Sequence, residues 1–122
     1  MAFLHDSAFD SGLSWVQTNG TRIDITSSEA GDYANAVGAL SLGNDTGVTT
    51  GAPGDNAGNG RKVVVGAVTA GSVTGTNTAT HWALTDGASV LVATGSLTPT
   101  QVVTTDNTFT LDAIDIAITD AV

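Results

Sequence analysis

Residues 78–118 read TATHWALTDGASVLVATGSLTPTQVVTTDNTFTLDAIDIAI, and this segment gives the clearest indication of the fold class. Apolar and β-branched segments alternate there with short breaks of the types Asp-Gly, Gly-Ser, Thr-Pro and Asp-Asn. Such punctuation is typical of antiparallel strands joined by turns. With the segments upstream it predicts about seven or eight strands. The predicted fold is mainly β: an antiparallel sandwich or a small jelly-roll-like barrel with one short N-terminal helix.

The chain of 122 residues has the length of one domain. We expect residues 1–20 to form an N-terminal arm with the short helix, and residues 21–122 to form the β domain. Ser7 and Asp10 have the spacing of a capping box. Apolar residues then follow at helical intervals: Phe9, Leu13 and Val16. The pattern predicts a helix over residues 7–18, to which Trp15 adds apolar contacts.

Downstream, residues 21–26 (TRIDIT) alternate between apolar and polar side chains. The alternation predicts a strand with Ile23 and Ile25 on the buried face and Arg22 and Asp24 facing water. Residues 27–47 fit a helical turn from Ser28 or an irregular excursion equally well. The glycine-rich residues 51–60 predict an exposed, mobile loop, and residues 61–69 (RKVVVGAVT) predict one buried strand.

The last strand pattern, over residues 108–119, changes its phase. Phe109 and Leu111 share one parity, whereas the isoleucines from Ile114 onward share the other. A β-bulge near Asp112 would produce such a change, because one extra residue reverses the side on which all later side chains point.

Composition restricts the classes of function. Twelve acidic residues stand against three basic ones, for a net charge of −9. So few cations argue against nucleic-acid binding, and the acidic field opposes docking on anionic membranes. The chain has no cysteine for disulfides or thiolate metal sites. The first residues, MAFLHDSAF, lack the pattern of a secretory signal, and no apolar run has the length of a membrane helix.

Side chains that could perform chemistry each have a simpler interpretation. His81 could act as a base, but strand alternation places it opposite Trp82, which we expect to anchor the core. No serine has the surroundings of an activated nucleophile. Solvated strand positions account for three aspartates near the end of the chain: Asp112, Asp115 and Asp120. We therefore predict no catalytic residue, and no enzyme.

The glycine-rich loop also has some of the character of a calcium loop, since Asp55 and Asn59 lie within it. It lacks the alternating oxygen ligands and the distal glutamate of an EF-hand. We therefore predict neither a metal nor another cofactor for this chain.

Several short motifs occur together in a characteristic order. They are TNGTRIDI at 18–25, LGN at 42–44, TGV at 46–48, GAPGD at 51–55, NGRKV at 59–63, ATHWAL at 79–84 and the ending at 109–118. This combination, which extends over essentially the whole chain, resembles a family of small structural proteins of tailed bacteriophages. The resemblance implies a virion component, a head decoration (cement) protein on the outer capsid surface. Its implied partner is the major capsid protein, and decoration proteins of this kind commonly assemble as trimers.

A docking surface for this role is expected from two segments. The apolar arm contributes Phe3, Leu4 and Phe9, which could remain unburied in a monomer. The glycine-rich loop, with Pro53, Asp55 and Asn59, could become ordered on binding.

The alternative is a tail, baseplate or fibre-associated module that binds host carbohydrate. Sugar binding needs exposed aromatic side chains, and the chain has only six aromatic residues. A groove shared by two of Trp15, Tyr33 and Trp82 would favour this alternative.

Overall fold

The computed structural model describes residues 4–120, and this part of the chain is mainly β, as predicted. Two helices are present: α1 (Asp6–Asn19) and α2 (Tyr33–Val37). The strands are β1 (Arg22–Thr26), β2 (Ser41–Asp45), β3 (Gly54–Asp55), β4 (Arg61–Val65), β5 (Val68–Val73), β6 (Asn77–Thr85), β7 (Leu91–Val103), β8 (Thr108–Leu111) and β9 (Ile114–Ile118). Neither helix in this range is long and apolar enough to cross a membrane.

The strands form two antiparallel sheets. The larger has six strands in the order β7-β6-β1-β2-β5-β8, and the smaller has three in the order β3-β4-β9. The larger sheet is curled, so that its two edge strands approach each other. At the point of approach, Gln101 on β7 donates its side-chain N–H to the carbonyl of Thr110 on β8, at 2.8 Å.

The main core joins inward-facing residues of both sheets. Ile25, Trp82 and Phe109 contribute from the six-stranded sheet, and Val65 contributes from β4. Ile114 and Ile116 of β9 pack against the same cluster while remaining partly exposed. The prediction that Trp82 anchors the core is therefore confirmed. Burial of apolar surface of this kind is the main force that holds the sheets together.

Helix α1 covers part of the smaller sheet, and β4 is the strand with which it makes most of its contacts. The predicted helix is confirmed, but its predicted capping box is wrong. His5 is the N-cap, and its Nδ1 accepts the N–H of Ser7 at 3.1 Å. Phe9 and Leu13 are buried, whereas 49% of the Trp15 surface is exposed.

The outer face of the six-stranded sheet is also covered. Ala30 and Ala36 pack there against Ala83, and Leu40 borders the cluster. The covering segment holds α2, which begins at Tyr33 and not at Ser28, and it leads into a strand, β2, that the sequence did not indicate. As a consequence, the predicted wet face of β1 is wrong, because Asp24 is fully buried.

Two further predictions are corrected by chain crossings between the sheets. Residues 61–69 are not one strand, since β4 ends at Val65 in the smaller sheet and β5 begins at Val68 in the larger. In the same way, β8 and β9 lie in different sheets, joined by the corner at Asp112 and Ala113. The change of phase that suggested a bulge marks this corner, because each strand points its apolar side chains into the common core from a different sheet.

Candidate functional site

The two segments predicted to form a docking surface meet around Arg61. Its guanidinium contacts the Asp10 carboxylate of α1 through two hydrogen bonds, Nε to Oδ1 at 2.9 Å and Nη2 to Oδ2 at 3.2 Å. This hydrogen bonding raises the pKa of Arg61 above its usual value, and the negative charges of Asp10, Asp6 and Asp55 raise it further. The helix start and the glycine-rich loop therefore form one acidic region, here named the Arg61 surface: Leu4, Asp6, Asp10, Asp55 and Arg61.

The apolar residues of the predicted surface separate into different environments. Leu4 is 48% exposed just before α1, as a docking residue should be. Phe9 is only 4% exposed, so it stabilises the packing of α1 and cannot dock on a partner. Helical periodicity explains the difference, because Phe9 lies one turn before Leu13 on the buried side of the helix. Phe3 lies outside the described residues.

The glycine-rich segment forms a hairpin, β3–β4, that side-chain hydrogen bonds stabilise. Gly54 and Asp55 pair with β4, and the Asp55 carboxylate accepts the N–H of Gly58 at 3.0 Å. Asn59 Oδ1 accepts the N–H of Asp120 at 3.3 Å. Gly60 has a φ of +83°, and a Cβ there would overlap the carbonyl of Ile118, so only glycine fits. Asp55 and Asn59 are exposed, and Pro53 is half-buried.

A cleft of about 200 Å³ opens near the junction of the two sheets. One wall is a wide bulge of β7: Ala79 pairs with Gln101 and His81 with Ser96, so residues 97–100 stand opposite Thr80 alone. The other wall is the corner between β8 and β9. The residues around this Trp82 cleft are Trp82, Ser96, Leu97, Thr98, Pro99, Gln101, Leu111, Asp112, Ala113 and Ile114.

Trp82 lies at the base of the cleft, opposite Gly95 of β7. A Cβ on Gly95 would stand 2.6–2.7 Å from indole atoms that include Nε1, so the glycine makes room for the ring. Within residues 4–120 the indole N–H has no hydrogen-bond acceptor. No fully buried side-chain nitrogen or oxygen in this range lacks a partner. The indole N–H therefore keeps some contact with solvent, and the Trp82 residue is part of the cleft lining.

A buried ionic cluster was missed by the sequence interpretation. Asp24 accepts from Arg22 Nε at 2.7 Å and Nη2 at 2.9 Å, and from the Ser41 hydroxyl at 2.6 Å. Hydrogen bonding to Asp24 raises the pKa of Arg22 above its usual value. The spacing of Arg22 and Asp24, two residues apart on one strand face, was the available signal. Because both oxygens of the carboxylate are engaged, the cluster links β1 to the start of β2.

The remaining candidates for chemistry lie apart. His81 Nδ1 is 2.8 Å from the Thr80 hydroxyl, and Lys62 forms an ion pair with Asp115 at 2.9 Å. Asp112 and Asp120 are exposed. Among residues 4–120, no group of three or more histidine or acidic side chains is arranged to hold a metal ion.

Comparison of the chain with protein-family profiles, with curated proteins and with solved structures finds no match.

Proposed function

We propose that this chain is a decoration protein of a tailed-phage head, which binds the outer capsid surface and stabilises the shell by bridging capsid subunits. The sequence motifs described above suggest this class. The structural observation that carries the proposal is the Arg61 surface, where the ion pair between Asp10 and Arg61 holds two separate segments together. An exposed apolar side chain, Leu4, precedes the helix that supplies two of the three carboxylates near Arg61. Interfaces of this composition combine apolar contact with charge complementarity.

The partner in this proposal is the major capsid protein, and the binding site on it carries positive charge. The net charge of −9 steers the protein toward such a site and away from other acidic surfaces. Binding as a trimer multiplies modest contacts through effective concentration. The apolar side chain of Val102 supports self-association, because it lies on the edge strand β7 and is 83% exposed.

Quantitative mass spectrometry of purified virions tests the assignment. The proposal expects a copy number equal to that of the major capsid protein, or to a simple fraction of it. A much smaller number would place the protein in the tail or connector. Absence from the particle would refute a virion role.

The docking surface is tested separately by cosedimentation with capsids that lack the protein. Leu4→Asp should weaken binding at least about tenfold, because it places a charge in the apolar part of the contact. Val90→Asp is the matched control: Val90 is also exposed, at the β6–β7 turn away from the Arg61 surface. Equal binding by both variants would exclude the Arg61 surface as the contact.

A tail module that binds carbohydrate through a groove of two aromatic residues is not supported to the same degree. Tyr33 lies on α2, which covers the outer face of the six-stranded sheet, whereas Trp82 belongs to the core on the inner face. Trp15 does not line the Trp82 cleft.

A further inference from the structure

We propose that the Trp82 cleft binds one unit of a neutral saccharide. The inference goes beyond a decoration role and does not depend on it, since it concerns a different part of the surface. It uses one aromatic side chain and the polar groups of two neighbouring strand segments, without the predicted groove of several aromatic residues.

The first argument concerns the indole N–H of Trp82. The side chain is about nine-tenths buried, yet the N–H has no acceptor among the described residues. A polar group in such a place loses much of its hydration, so a hydrogen bond from it to an acceptor on a ligand is favourable. A sugar hydroxyl or ring oxygen is such an acceptor, and the C–H groups of a sugar ring pack well on aromatic and aliphatic side chains.

The second argument is the set of groups that surround the ring. Ser96 and Thr98 are exposed residues of the bulge wall, and Asp112 is an exposed residue of the opposite wall. Within residues 4–120 these three side chains form no hydrogen bond or ion pair. Leu97, Pro99 and Ile114 alternate with them as apolar surface. A carboxylate and two hydroxyls bordering an apolar surface suit a ligand that both donates and accepts hydrogen bonds.

The third argument concerns size and charge. About 200 Å³ is below the roughly 300–1,000 Å³ of pockets for drug-sized ligands, so a single ring fits. Asp112 and the net charge of −9 repel anionic sugars. An extended peptide strand would need an open groove along β7, but the hydrogen bond from Gln101 to Thr110 bridges the two edges beside the cleft.

Fluorescence of Trp82 gives a direct test. Trp15→Phe removes the other tryptophan at an exposed position, so the variant reports on Trp82 alone. This variant is titrated with neutral hexoses, pentoses, N-acetylhexosamines and their methyl glycosides, and with a neutral tetrapeptide. We expect saturable binding of at least one sugar with Kd on the order of 1 mM, typical of a small hydrogen-bonded site.

Asp112→Asn in the same background should weaken that binding about tenfold, because hydrogen bonds to a charged group contribute more than neutral ones. Asp120→Asn is the control, since it removes the same charge at an exposed position beyond the far end of β9. If Asp112→Asn and Asp120→Asn weakened sugar binding equally, the placement of the sugar in the Trp82 cleft would be wrong. No saturable binding by any sugar, or binding of the peptide alone, would overturn the proposed ligand class.

Discussion

Replacing Asp24 by Asn tests the buried cluster on the outer face of β1. The substitution keeps the shape of the side chain but removes its charge and turns one acceptor oxygen into an NH₂ group. In either orientation that group faces an N–H of the Arg22 guanidinium, because Nε bonds one oxygen of the native carboxylate and Nη2 bonds the other. The variant thus creates an unfavourable donor–donor contact in addition to an unpaired cation.

The expected cost follows from the burial of the cluster. Breaking a fully buried ion pair costs about 3–5 kcal/mol. The Arg22 side chain is 22% exposed and keeps some contact with water, so the lower end applies. We expect the free energy of unfolding to fall by about 3 kcal/mol, against a total of roughly 5–15 kcal/mol for a domain. At roughly 4 °C per kcal/mol for a chain of this length, Tm should fall by about 12 °C.

Urea denaturation followed by circular dichroism measures this change. The midpoint should fall by about 1 M or more with an unchanged m value. Asp115→Asn is the matched control, since it breaks the exposed pair with Lys62 and should cost less than about 1 kcal/mol. If Asp24→Asn cost no more than the control, the reasoning from burial would be refuted.

Two further perturbations test the cleft and the β6–β7 turn. Gly95→Ala should lower the free energy of unfolding by about 1–3 kcal/mol, because the new Cβ overlaps the Trp82 indole. It should also alter the near-ultraviolet circular dichroism of the protein. An unchanged spectrum would contradict the close approach of Gly95 to the ring. Three main-chain N–H donors, from Val90, Ser89 and Ala88, hold the pKa of Asp86 below its usual value. The stability this gives is complete above the ordinary aspartate pKa of about 3.9 and is lost as pH falls through the lower folded-state value. The difference in Tm between the wild type and Asp86→Asn should therefore stay constant from about pH 5 to 8 and shrink below about pH 4, whereas a constant difference at all pH values would exclude a contribution from the charge.

Local patterns in the sequence were sufficient to predict the helix and the mainly β class. The spacing of Phe9 and Leu13 indicated the buried side of α1, and the alternation around Ile23 and Ile25 indicated β1. The N-cap was misassigned because His5 is an unusual cap. Its imidazole nitrogen replaces the hydroxyl or carboxylate oxygen that serves most helices.

The larger errors concern contacts between distant segments. Asp24 was expected in water because strand alternation describes one face at a time, and only residues 30–40, folded over the sheet, bury it. The phase change between Leu111 and Ile114 has two geometrical explanations, a bulge or a change of sheet. The sequence does not distinguish between them, because both reverse the direction in which the side chains point.

The candidate sites also differ in how far local sequence patterns could predict them. The arm and the loop were each predicted to contribute to a docking surface, and the ion pair of Asp10 with Arg61 places the helix of the arm beside β4, the strand that follows the loop. The Trp82 cleft was not predicted. The sequence marked Trp82 only as a core residue, and its open edge depends on the bulge at residues 97–100 and on the corner near Asp112, which lie far apart in the sequence.

The relative position of the two sites determines whether both proposals can hold for one bound molecule. Strand β9 links them: Ile118 pairs with Arg61 at one end, and Ile114 lines the cleft at the other. Four residue steps along a strand separate these ends by about 13 Å. A standard protein–protein interface covers about 800 Å² of each partner and is about 30 Å across, so one centred on the Arg61 surface would extend to the cleft. Sugar binding by the free protein and capsid binding by Leu4→Asp therefore test the two sites separately, whereas sugar binding by coated particles would depend on both.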